Sequence, residues 1–311
     1  MSTSPPHIST AAATSRRPRR IGVLVHPTRN VDEPVRVIRE WTEQHGIDIV
    51  QVATAYPQRP VAKKGEMADV DLIVSIGGDG TTLAALRAGA VSGHPVLGVA
   101  CGSLGALANI TVDDLVRSLD RYSQGHWHPR LFPALSVARD NGDPLFALND
   151  VALVRATGGQ VRLTASVDGS LFARMAGDGA IVSTPIGTSG YAISAGGPLM
   201  LTHVDGYVFT PLPKHGGFAP PLVIASDSEL TLEVAGTFAG ARIEIDGQVS
   251  GDCVGAMTIT FKPGVATQVS FDDQESLLAG LRRRRILLDS PRLMAEAARD
   301  YVNRPDRPAG A

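Results

Sequence analysis

Apolar and polar positions change rhythm once along this chain, close to Gly125. Before that point, short runs rich in Val, Ile and Leu at residues 21–25, 47–52 and 71–76 alternate with a helix-length stretch at 32–44. Such strand and helix alternation is the grammar of a parallel sheet covered on both faces. The runs at 72–76 and 95–99 each lead within a few residues into a glycine-bearing turn, the place where sheets of this kind hold ligands. Residues 111–122 predict a further helix, with Leu115 and Leu119 as its apolar positions, Thr111 placed to cap it and Asp113 and Asp114 in its first turn. After Gly125 the runs become short, alternating and separated by Gly, Asp and Pro. They fall at 135–138, 145–154, 161–167, 180–183, 207–210, 230–234, 243–245 and 257–261, and they predict antiparallel β structure. Helix-favouring residues return from Glu275 through Arg282-Arg283-Arg284-Arg285 to Arg304.

The first twenty residues are rich in Ser, Thr, Pro and Ala and carry no apolar periodicity, which predicts a disordered tail. The expected organisation is a tail (1–20), an α/β domain with a Rossmann-like parallel sheet (21–125), a β-rich, sandwich-like domain (126–275) and a C-terminal segment (276–311) that packs back on the α/β domain. Length agrees, since 311 residues exceed what one hydrophobic core usually serves. A formal net charge of −2 supplies no basic field for a nucleic acid or an anionic membrane. No apolar run approaches the roughly 18 to 20 residues that cross a bilayer, and the twin arginines near the N-terminus lack the apolar region of an export signal. Two cysteines, Cys101 and Cys253, cannot form a disulfide framework. A cytoplasmic protein with neither nucleic-acid nor membrane partners is expected.

Two segments carry chemistry. Gly77-Gly78-Asp79-Gly80-Thr81 follows an apolar strand and precedes a helix-forming run. Glycines there let backbone approach a polyphosphate, the helix N-terminus offers free N–H groups, and a carboxylate in the turn can accept a hydroxyl proton. Taken alone, the motif reads equally well as a tight turn capped by Asp79. The second segment is longer, running from Gly177-Asp178-Gly179 through Ser183-Thr184-Pro185-Ile186-Gly187-Thr188-Ser189-Gly190-Tyr191 to Gly196-Gly197-Pro198. Its hydroxyls and glycines suit ribose and phosphate oxygens, and Tyr191 suits a base.

These two segments, with Asn149-Asp150 between them, resemble in order and spacing the three hallmark segments of the NAD kinases, and the resemblance covers about residues 21–285. It implies an ATP-dependent phosphotransferase, with magnesium carried by the ATP and no protein-held metal, that converts NAD to NADP at the 2′-hydroxyl of the adenosine ribose. It also implies a homodimer or homotetramer in which a neighbour helps complete the site. Carried over by position, Asp79 becomes the base for that hydroxyl, with Gly78, Gly80 and Thr81 around the phosphates. Asn149 and Asp150 bind base and ribose atoms, Asp178 the nicotinamide side, and Thr188, Ser189, Gly190 and Tyr191 the adenosine pocket. His215 and Asp246 also fall where the family has similar residues.

The chain departs from the family pattern at Ala100 and Ala106, where an amide and an aromatic ring are usual, at Asp150, where Glu is usual, and at Ile186, where a hydroxyl is common. A site built for a hydroxyl discriminates through such groups. The departures keep open a related acceptor, another nucleoside or nucleotide, and a non-catalytic NAD sensor is the rival from outside the enzymes. His126 and His128 read as linker residues, Cys101 as a small packing residue, and Arg282 to Arg285 as a solvated helix end.

Overall fold

A computed structural model describes residues 17–54, 56–140, 143–235, 240–253 and 255–294. The expected tail lies outside the described residues as far as position 16, while Arg20 already opens the first strand. The stretch from 295 to Arg304 also lies outside them.

The first half alternates β1 (Arg20–Val25), α1 (Asp32–His45), β2 (Asp48–Val52), β3 (Lys64–Gly65), β4 (Leu72–Gly77), α2 (Asp79–Ser92), β5 (Val96–Ala100) and α3 (Leu115–Ser123). The strands pair in parallel in the order β5-β4-β1-β2-β3. β4 and β5 are buried along their whole length, as continuous apolar runs require when helices cover both faces. On one face Val35, Ile38 and Trp41 of α1 and Leu115 and Leu119 of α3 pack on β1 and β4. On the other, Ala85 and Leu86 of α2 pack on Leu24, Ile73 and Val96. Asp32 and Glu33 sit in the first turn of α1, favourable to its dipole, and Gly46 ends it in the left-handed region at φ 62°.

The second half is antiparallel apart from one short helix: β6 (His128–Arg139), β7 (Leu145–Ala147), β8 (Asp150–Arg155), β9 (Val161–Val167), β10 (Ser170–Gly177), β11 (Gly179–Ser183), α4 (Tyr191–Ser194), β12 (Gly206–Pro211), β13 (Leu222–Ala225), β14 (Leu230–Ala235), β15 (Ala241–Ile245), β16 (Gln248–Cys253) and β17 (Gly255–Ser270). A six-stranded sheet, β13-β12-β11-β8-β15-β16, faces the β6, β9, β14 and β17 layer across a core that includes Tyr207, Phe209, Leu230 and Ile259. A further helix, α5 (Leu277–Arg283), follows.

Three expectations change. The run 145–154 is two strands, because the chain turns a corner at Leu148-Asn149. Residues 170–177 form a strand that the weak alternation around Arg174 hid. The run 257–261 is only the start of a 16-residue strand, since Lys262-Pro263-Gly264, which reads as a turn, is a register shift within β17. That length matters. β17 pairs antiparallel with β6 and β14 and then lies parallel to β5 at Gln268, joining both halves in one 11-stranded sheet.

Candidate active site

Ligand-binding loops of a parallel sheet gather at the carboxyl ends of its strands. Here β1, β4 and β5 deliver residues 26–31, Gly78 and 101–110 to one place. Gly78 precedes α2 in an extended conformation, and the first hydrogen bond of the helix runs from Thr82 N to Gly78 O. The N–H groups of Asp79, Gly80 and Thr81 therefore have no intrahelical partner and point at the space before the helix. Thr81 contributes only its backbone. Its side chain is buried and its hydroxyl lies 3.2 Å from that of Tyr56.

Asp79 sits inside a net of donors. Oδ1 accepts from Leu107 N and Ala108 N at 2.9 and 3.0 Å, and Oδ2 accepts from Ala106 N at 2.9 Å and from Arg284 Nη1 at 3.2 Å. Gly105 lies against this carboxylate so closely that a Cβ there would overlap Oδ1. The side chain is still 34% exposed. Beside it, Arg29 donates to Cys101 O at 2.7 Å and lies over Gly78. Cys101 is half-buried, and that burial raises its thiol pKa, which suits packing rather than nucleophilic chemistry.

The Asn149 corner is held by a second aspartate. Asp246, in the left-handed region at φ 50°, accepts from Leu148 N (3.1 Å), Asn149 N (2.7 Å) and Asp150 N (3.2 Å) and pairs with Arg87 of α2. Its side chain is 3% exposed. Both oxygens are occupied, so Asp246 frames the corner instead of presenting an oxygen to a ligand. Asn149 Oδ1, by contrast, is buried without a hydrogen-bond partner among the described residues. The Asp150 carboxyl is pushed up to about 7 by burial, then by the charges of Asp246 and Glu244.

The third segment packs directly on that corner. Thr184 N donates to Asn149 O at 2.9 Å, its hydroxyl donates to Leu148 O at 2.6 Å, and Gly187 leaves no room for a Cβ against the Asn149 carbonyl. Thr188 is fully buried, its hydroxyl donating to Pro185 O at 2.6 Å and accepting from Met200 N at 3.0 Å, so it too belongs to the frame. Ser189 donates to Ile186 O at 3.0 Å. Gly190 and Tyr191 are exposed. The Tyr191 phenol pKa is raised by partial burial, then by the charges of Glu244, Asp178 and Asp150. Ile186 is 6% exposed and packs with Leu107 and Leu148, so the position where a hydroxyl is common belongs to the core.

That core layer unites the motifs, since Leu86 after Asp79, Leu107 under the net, Leu148 before Asn149 and Ile186 share one cluster. Asp178 pairs with Arg155 at 3.2 Å at the strand turn between β10 and β11. His215 stands apart. It is exposed and lines an open depression of about 970 Å³ with Arg162, Arg174 and Phe218, and no hydrogen bond ties it to the Asp79 loop. Composition and spacing do not point to Arg29 or Arg87, because a single arginine carries no local signature. The Arg282 to Arg285 run is not simply a solvated helix end. Arg282 pairs with Asp289 and Arg283 with Glu275, but Arg284 is 23% exposed and reaches Asp79.

Two family models cover both halves, the ATP-NAD kinase N-terminal domain at residues 21–127 and the ATP-NAD kinase C-terminal domain at 148–266. The chain is 34% identical over 249 residues to an NAD kinase of Heliobacterium modesticaldum, covering 75% of this chain and 88% of the relative. It is 34% identical over 253 residues to that of Acidobacterium capsulatum, covering 76% and 87%. In fold it is similar to yeast NADH kinase complexed with NADH, with a TM-score of 0.73 at 18% identity over 88% of this chain and 89% of that one. It is also similar to an NAD kinase from Archaeoglobus fulgidus in complex with ATP, with a TM-score of 0.65 at 24% identity over 86% and 96%. With both domains matched in order, and with the glycine turn, the asparagine corner and the long third segment on one core layer, this chain belongs to the ATP-NAD kinase family.

Proposed function

We propose that the protein phosphorylates the 2′-hydroxyl of the adenosine ribose of NAD with ATP, giving NADP and ADP. The observation that carries this reading is Asp79, an accessible carboxylate at a helix N-terminus whose first three N–H groups are free for phosphate oxygens. The ribose oxygen attacks the γ-phosphorus, the bond from that phosphorus to the β-bridging oxygen breaks, and the hydroxyl proton passes to Asp79. All four acceptor positions of Asp79 are engaged by protein donors, so the hydroxyl reaches it by sharing Oδ2 with Arg284 or displacing that guanidinium.

Gly78, Gly80 and the Thr81 backbone line the phosphate side, with Arg29 as a cation beside them. Asn149 and Asp150 meet the adenosine, Ser189, Gly190 and Tyr191 complete its pocket, and Asp178, paired with Arg155, lies toward the nicotinamide. Thr188 and Asp246 act by positioning. In this reading magnesium arrives as the counterion of the ATP phosphates. That ion neutralises charge on the transferring phosphoryl group. Phe218, Val223 and Leu171 in the β-rich half are 88%, 57% and 51% exposed, apolar surface that self-association as a dimer or tetramer would cover, and light scattering on the eluted peak measures it. No helix among the described residues is long and apolar enough to cross a membrane, and we place the enzyme in the cytoplasm.

The test is phosphoryl transfer by the purified chain from Mg-ATP to NAD, NADH, adenosine and AMP, read by product mass. NADP formed by the wild type and lost in Asp79→Asn is the expected result, a loss of about 10²- to 10⁴-fold for a general base. Another phosphorylated acceptor with NAD inert would replace NAD. Binding of NAD without turnover of any acceptor would leave a sensor.

A further inference from the structure

The four donors that meet Asp79 among the described residues differ in what it takes to withdraw them. Three are the backbone amides of residues 106–108. They cannot leave without moving a loop whose carbonyls are pinned from several sides. Leu104 O accepts from Arg283 Nη2 at 3.0 Å, Ala106 O from Arg130 Nη1 at 3.2 Å, Leu107 O from Gln268 Nε2 at 2.6 Å and Ala108 O from Gly105 N at 2.8 Å. Gln268 is itself fully buried, on the strand that joins the two halves. The fourth donor is a side chain: Arg284, the residue that follows α5, reaches Oδ2 through Nη1 at 3.2 Å.

Three features suit Arg284 to leave. Its pair with Asp79 is partly open to solvent, with side chains 23% and 34% exposed, and such pairs are far weaker than buried ones. Its stem has a hold of its own, since Nε donates to Gly280 O at 3.2 Å, and α5 is anchored separately by the Ser276 cap and the buried Leu281. The guanidinium can therefore turn away while the helix stays in place. Arg284 also lines a cavity of about 430 Å³ behind the 104–108 loop, which gives the displaced group room.

A carboxylate has about four lone-pair sites, and a base must offer one of them to the proton it accepts. We infer that Arg284 is a positioning residue that holds the fourth acceptor site of Asp79 until the acceptor hydroxyl arrives and then yields it, while the three amides keep the carboxylate oriented. The inference rests on the kinase reading above and assigns the exchange to one side chain of the C-terminal segment. Binding of an acceptor that carries the hydroxyl then includes breaking the Asp79–Arg284 pair, and binding of one that lacks it does not.

The experiment measures, by calorimetry on the full chain, the affinity for NAD and for its analogue lacking the 2′-hydroxyl on the adenosine ribose. Both ligands carry the same phosphates, so a lost cation moves them equally and their affinity ratio isolates the hydroxyl. Arg284→Met keeps the length of the side chain without a donor. It is expected to shift the ratio toward NAD by about three- to fivefold, the upper part of the range for exposed pairs, because this one is mostly buried. Arg284→Lys restores a cation and should lie between Arg284→Met and wild type, and it serves if Arg284→Met does not fold. A role confined to structure would loosen the loop for both ligands alike, so an unchanged ratio in both variants overturns the proposal. Product analysis alongside keeps the two readings apart. NADP made by the wild type with an unchanged ratio removes only the Arg284 assignment, whereas a shifted ratio without NADP removes only the kinase. A wild type that binds neither ligand overturns both.

Discussion

Asp79 and Asp246 stand in two different loops and have the same surroundings. Each accepts from three consecutive backbone amides, 106–108 in one case and 148–150 in the other, and each meets one arginine, Arg284 or Arg87. The difference is access, with side chains 34% and 3% exposed. An identical donor set therefore serves two ends. Buried, it is a staple that fixes the Asn149 corner. Exposed at the head of α2, it orients a carboxylate that a substrate hydroxyl can still reach.

The strongest way to break the comparison is to remove each carboxylate in turn. Asp246→Ala strips three backbone amides of their acceptor and takes the carboxylate from Arg87, which is 34% exposed and still donates to Phe146 O, and each buried donor left unsatisfied costs about 1 to 3 kcal/mol. Urea denaturation should show that loss, and the affinity for NAD should fall with it as the corner loosens. Asp79→Asn, at the more exposed net, should change the urea midpoint much less. Equal losses of stability at both positions would erase the distinction between staple and reactive group.

A smaller effect concerns Asp150, which hangs from the buried net. Its folded pKa of about 7 lies above the unfolded value of 3.8 because burial, Asp246 and Glu244 disfavour the charged form. The native state thus holds a proton that the unfolded chain has released. This contribution is complete below pH 3.8 and is lost as pH rises through about 7. Asp150→Asn, which cannot ionise, should gain on the wild type as pH climbs from 5 to 9, by about 3 kcal/mol, because roughly two pH units of the linkage lie between pH 5 and the folded pKa. Parallel stability curves for the two proteins across that range would show that Asp150 stays charged in the folded state.

How much of this was legible in the sequence follows from how local each signal is. The parallel strands and the Gly77 to Thr81 turn are local patterns, and they were found where expected. The pair of nets was not legible, because Asp79 meets residues 106–108 and Arg284, and Asp246 meets residues 148–150 and Arg87, all far away along the chain. Position along the chain marks Asp246 and Thr188 as ligand-binding residues, whereas burial gives their side chains to the frame. Ile186 reads in sequence as a missing hydroxyl at the site and lies in the core, since spacing cannot tell which way a loop residue points. Arg284 sat inside a charge run whose usual meaning is a solvated end. Only the packing of α5 against the 104–108 loop singles it out.

Gly105→Ala sharpens the comparison from the exposed side. The added Cβ would overlap Asp79 Oδ1, so either the loop or the carboxylate must shift, at about 1 to 3 kcal/mol of strain. The expected signature is a fall in kcat much larger than the loss of stability implies, with NAD binding through the Asn149 corner retained. Near-normal kcat would mean that the amide net on Asp79 is not needed for turnover.

The mildest test addresses what the two nets share. Leu107 donates to Asp79 and Leu148 to Asp246, and both side chains pack with Ile186 in one buried cluster. Ile186→Val removes one methylene from that layer and should cost about 0.5 to 1.5 kcal/mol. If the layer acts only as a floor beneath the nets, kcat and the KM for NAD stay within about twofold, because a change of this size leaves both backbones in register. Ile186→Thr then becomes the discriminating partner. It puts a hydroxyl where relatives commonly have one, in a chain whose backbone has settled around a hydrocarbon. A buried hydroxyl without a partner should destabilise the protein by a further 1 to 3 kcal/mol or so and leave NAD affinity no better. Tighter NAD binding by that variant would show instead that position 186 turns toward the ligand, and that the core layer under the two nets is part of the adenosine pocket.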